Sequence, residues 1–157
     1  MKRLRGLPIY VLVWASLGSL ASAAQDVSFK SSPLKGIEAL AVRVEKLSQD
    51  ALRIGLTEEA VRKAAEPRLE GEGIAVADHT DFPCLYIKMS VAGPDCSIRV
   101  EMREEAVLAR IPLPFRVTTW YAESTEAHGG GADKVIAALG ERLEGFIRDF
   151  YKANPRT

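Results

Sequence analysis

The chain has two cysteines, two histidines and no net charge over its 157 residues. Each shortage excludes something. Two histidines and two unclustered cysteines do not make a zinc site of the usual spacing, so no metal and no cofactor is expected. Basic and acidic side chains are equal at 21 each, which argues against a nucleic-acid binder, since that function needs a cationic surplus to displace counterions from phosphate. Gly (12) and Pro (8) are too few for a collagen-like chain or a disordered tail. The chain contains no P-loop and no dinucleotide fingerprint, and no G-x-S-x-G elbow stands beside the glycines after His128. The neighbouring acids Glu58-Glu59 and Glu104-Glu105 point apart on a helix or strand, so they form no general acid–base pair. No catalytic constellation is present, and the expectation is a protein that is not an enzyme.

What is present begins with an address. Lys2, Arg3 and Arg5 precede an apolar run of about 14 residues, Leu7 to Leu20, which ends in Ala21-Ser22-Ala23-Ala24. A positive start, a short greasy stretch and small residues at a cut site make a secretory signal peptide, residues 1–24. The run is shorter than the roughly 20 residues of a membrane span. Its removal leaves 18 basic against 21 acidic side chains, a net −3. The expected product is an exported, periplasmic or secreted, single-domain protein without stable membrane insertion.

Residues 25–36 are polar, with Ser31-Ser32-Pro33, and read as a flexible N-terminal arm. A single domain, 37–153, follows. Period-two alternation of Leu40, Val42 and Val44 predicts a strand. Thr57-Glu58-Glu59 opens a helix that presents Val61, Ala65 and Leu69 and stops at Gly71-Glu72-Gly73, with a bend expected at Pro67. A short strand at Ile74-Ala75-Val76 precedes a hairpin. In it Leu85, Ile87, Met89 and Val91 lead through Gly93-Pro94 to Ile98, Val100 and Met102, and the parity breaks at Glu104-Glu105 as at a bulge. Pro112-Leu113-Pro114 interrupts pairing, and residues 115–123 form the last strand. The apolar stripe from Val135 to Phe150 recurs at helical spacing up to Asn154-Pro155. The order β-α-β-β-β-β-α predicts an α+β two-layer sandwich, a largely antiparallel sheet of four or five strands with two helices on one face.

Export favours a disulfide between Cys84 and Cys96, but hairpin geometry sets Cys84 opposite roughly Arg103, about 20 Å along the strand from Cys96. Bridge and buried thiols both stay open. Outward parity places Tyr86, Arg99 and Arg103 on the exposed sheet face. If Phe115, Val117 and Tyr121 face the helices, Trp120 joins them there beside Arg116 and Thr118. Exposed aromatics with arginines are the anchors of protein interfaces, so Trp120, Tyr86, Arg99, Arg103 and Arg116 are the candidate partner-binding residues. Alternatively, Trp120 packs under the arm or against arginine stems.

The stretches GLTEEAVRKAAEPRLEGEGIAV, PCLYIKMSV and the late TTW resemble small exported bacterial α+β domains of uncharacterised function. Over about residues 36–152 the layout is similar to envelope adaptor domains, such as the amino-terminal domain of the Tol-system propeller protein and the lipoprotein activators of penicillin-binding proteins. The chain departs from the lipoproteins in having no lipidated cysteine, and no catalytic residue comes with the resemblance. The resemblance bears on fold more than on function. Export, the small α+β layout and the absence of a catalytic constellation lead to the expectation of a soluble periplasmic interaction module, an adaptor that binds an envelope protein through a sheet face or an exposed edge strand. Two rivals remain: a small-ligand carrier lined by Met89, Met102, Phe146 and Phe150, and a metal-dependent hydrolase using Asp78, His79, Asp81 and His128.

Overall fold

In the computed structural model, which describes residues 32–78, 82–127, 129 and 131–156, the alternation of Leu40 and Val42 becomes strand β1, Ala39–Val44. Two helices follow. The first, α1 (Gln49–Arg53), is capped by the Ser48 hydroxyl, which accepts from the Ala51 N–H. The second, α2 (Glu58–Gly71), is capped in the same way by Thr57, which accepts from the Ala60 N–H at 3.1 Å. Pro67 sits inside α2, which stays one helix. It ends where Gly73 takes φ +83° and the N–H of Ile74 returns to the Leu69 carbonyl at 2.9 Å.

Strands β2 (Ala75–Val76), β3 (Cys84–Ala92), β4 (Asp95–Leu108) and β5 (Ile111–Ala127) and helix α3 (Ala132–Ala153) complete the chain. The sheet order is β2-β1-β3-β4-β5. The expected α+β class holds, and the expected largely antiparallel sheet does not: β1 runs parallel to both β2 and β3, and only β3-β4-β5 is antiparallel. The reason is the connection. Parallel neighbours need a long crossover, and the segment between Val44 and Ala75, which carries α1 and α2, supplies one. The helices number three among the described residues, because the QDALR segment with its serine cap forms α1.

The β3–β4 turn is the expected Gly93-Pro94, with Gly93 at φ +60°, which suits glycine at the first position of a two-residue hairpin turn. Strand β5 extends through the Pro112-Leu113-Pro114 segment, with Pro114 opposite Val107, because an edge strand tolerates missing donors. The pairing is nevertheless irregular there as expected, since the register shifts between Val107 and Leu108 and leaves Pro112 and Leu113 without a partner in β4. The expected bulge is present but lies in β5. Met102 pairs with Trp120 and Arg103 with Thr118, which leaves Thr119 as the extra residue.

One sheet face carries Leu40, Val42, Leu85, Ile87, Val100 and Met102 into a single apolar core with Val61 and Leu69 of α2 and Leu139, Leu143 and Phe146 of α3. The signal segment and residues 25–31 of the arm lie outside the described residues. The remaining end of the arm docks. Ser32–Leu34 form a 3-10 turn with Leu34 fully buried, and the Asn154 side chain donates to the Leu34 carbonyl and accepts from the Gly36 N–H, both at 2.8 Å.

Candidate functional site

The opposite sheet face has no helix on it among the described residues, and it carries the charge. Register builds a row across four strands: Arg43 beside Tyr86, Tyr86 beside Glu101, Glu101 beside Tyr121. Along β4, Arg99, Glu101 and Arg103 are two residues apart and share this face. Glu101 is 4% exposed. It accepts from Arg99 Nε at 2.5 Å, Arg103 Nε at 2.8 Å and the Thr118 hydroxyl at 3.4 Å. Burial alone would raise its carboxyl. The hydrogen bonds and charges of Arg103 and Arg99 outweigh that and hold it below the usual carboxylate range.

Each arginine is fixed a second time by an aromatic ring. The Arg103 guanidinium lies 3.5 Å from the Tyr86 ring centre, and that of Arg99 lies 4.4 Å from Tyr121. Arg99 also donates to Glu123 at 3.1 Å. At the root of the β4–β5 hairpin the face deepens into a groove of about 430 Å³, walled by Arg43, Arg103 and Arg116 with Phe82, Tyr86 and Thr118. Arg116 lies 5.2 Å above the Phe82 ring. The three arginines and the apolar ring edges make this groove fit for an anionic group on an apolar or aromatic stem.

Of the five residues expected on this face, Tyr86, Arg99, Arg103 and Arg116 are brought together there. Trp120 is not. It is 2% exposed on the helix side, where its indole N–H donates to the buried Asp149 carboxylate at 3.1 Å and its ring meets Phe146 edge-on at 5.2 Å. The correction has one cause. The extra residue Thr119 reverses the in–out alternation of everything after it, so Trp120 turns in and Tyr121, 53% exposed, turns out in its place. The indole is met by Asp149 and Phe146 of α3.

Sequence reasoning missed Tyr121, Glu101, Arg43 and Phe82. A signal for Glu101 was present, since plus-minus-plus at two-residue spacing on a strand puts an acid between two arginines on one face.

Cys84 and Cys96 are both buried and no disulfide joins them. Cys84 pairs with Arg103 and Cys96 with Val91, at opposite ends of the hairpin and on opposite faces of the sheet. The Cys96 thiol is pushed up by burial. Met89, Met102, Phe146 and Phe150 belong to the core, with the Phe146 and Phe150 ring centres 6.0 Å apart. Asp78 is exposed, while His79, Asp81 and His128 lie outside the described residues. No cluster of three metal-ligating side chains occurs among the described residues. No protein-family model and no curated protein matches the chain.

Proposed function

We propose that this protein is an exported, non-enzymatic adaptor of the cell envelope whose open sheet face docks a protein partner presenting an acidic side chain. One observation carries the reading. A sheet face that no described helix covers holds two arginines rigidly, each between an aromatic ring and the buried Glu101, next to a groove with two further arginines. Fixed arginine–aromatic pairs are the residue types that dominate interface energetics, because their rotamer entropy is already spent before the partner arrives. The charge is complementary in the same sense: Arg43, Arg103 and Arg116 line the groove, with no acid among its described lining residues, on a chain whose residues 25–157 are net acidic. The signal-like N-terminus and the adaptor-like layout support the envelope location.

Site-specific photocrosslinking in cells tests the proposal. A photoreactive residue at Tyr121 or Tyr86 is expected to trap one discrete envelope protein, and the same residue at buried Leu139 is expected to trap none. Absence of any adduct from both face positions overturns the sheet-face reading.

A further inference from the structure

Beyond Arg103 the sheet thins to two strands. Strand β3 pairs with β4 only as far as Arg103, so residues 104–117 project as a two-stranded ribbon closed by Ala109-Arg110. Such a ribbon has little stability of its own in water, yet this one is strongly apolar at its tip. Val107, Leu108, Ile111, Leu113 and Phe115 account for five of the seven large hydrophobic residues exposed among the described ones, with Val107 and Leu113 at 65% and 62%.

We propose that this tip is a peripheral docking element that inserts into the surface of a bilayer containing anionic phospholipid. Three features select lipid over a second protein surface. First, the tip is apolar on both sides: Leu108 and Phe115 share one face by alternation, and Val107 projects from the other. A flat protein partner needs one face, whereas insertion needs both. Second, residues 106–115 carry one arginine, Arg110 in the closing turn, and no acid, while Glu104 and Glu105 lie at the ribbon's base opposite Val117 and Arg116. An apolar tip with an arginine at its turn is drawn to anionic headgroups, while the aliphatic stem lets the guanidinium stay at the headgroup level. Third, Pro112 and Pro114 remove two backbone donors from the edge strand β5. That disfavours strand addition by a second copy and lowers the cost of an unpaired edge in an apolar medium. The five side chains expose on the order of 400 Å², about half of what one partner contributes to a stable dimer.

Vesicle flotation of the full chain tests this, with phosphatidylglycerol–phosphatidylcholine vesicles against pure phosphatidylcholine. Wild type is expected to float with the anionic vesicles. The Leu108→Ser/Leu113→Ser variant, which keeps the same N-terminus, is expected to lose at least about tenfold in partitioning, and Arg110→Gln about fivefold. Brominated phospholipid is expected to quench the added indole of Leu113→Trp beyond any quenching seen in wild type. Equal flotation of wild type and the double variant, or no added quenching, overturns the proposal. So does a dimer in sedimentation velocity that the double variant dissolves, since the tip would then be covered by a second copy.

Discussion

Replacing Glu101 by Gln keeps the shape of the side chain and removes its charge, so the buried hub of the open face becomes measurable. The carboxylate accepts from two guanidinium groups, at 2.5 and 2.8 Å, and more weakly from Thr118. Charge-assisted bonds of this kind contribute about 1.5–3 kcal/mol each. Both arginines are a quarter to a third exposed, so water recovers part of their solvation once the charge is gone, and Gln still accepts one bond. The expected cost is about 2 kcal/mol at pH 7, or on the order of 8 °C in melting temperature for a domain of this size.

The pH dependence carries the sharper test. The folded-state pKa of Glu101 is lowered, so its stabilisation is fully present above the unfolded value near 4.3 and is lost as pH falls through the folded value. A protonated glutamic acid resembles glutamine. The gap between wild type and Glu101→Gln in urea unfolding is therefore expected to be near its full size at pH 7 and to shrink progressively as pH is lowered below the unfolded value near 4.3. A gap that stays constant across that range, or one below about 0.5 kcal/mol at pH 7, refutes the argument that the arginine pair stabilises an ionised Glu101.

The reversal of parity at Thr119 is checked by two substitutions. Trp120→Phe removes the indole donor to the buried Asp149 carboxylate, which keeps its bond from Lys152, and is expected to cost about 1–2 kcal/mol in chemical denaturation, while Tyr121→Ala is expected to stay within about 0.5 kcal/mol; the reverse ranking places the bulge elsewhere. Both cysteines are buried thiols, so a thiol reagent without reductant is expected to label two sites after unfolding and neither at a comparable rate in the native protein. Fewer than two labelled sites in denaturant indicates a bridge that the hairpin register forbids. Asn154 holds the Leu34 carbonyl and the Gly36 N–H, so Asn154→Ala is expected to destabilise by about 1–2 kcal/mol and to speed amide exchange at Gly36. Unchanged exchange there means that the turn is held without it.

Elements whose signal is local were legible in the chain. The α2 cap at Thr57, the Gly93-Pro94 turn, the register that sets Cys84 opposite Arg103 and the stripe of α3 all follow from spacing within a few residues. So did the grouping of Tyr86, Arg99 and Arg103, since alternation on an unbroken hairpin assigns faces without knowledge of the rest of the fold. Three decisions were tertiary. The heading of β1 depended on where the chain came back after α1 and α2. The path of β5 through its prolines depended on its being an edge. The exchange of Trp120 for Tyr121 depended on one unpaired residue, Thr119, because a strand has period two and a single insertion reverses every side chain beyond it, and only pairing against β4 shows where that insertion falls.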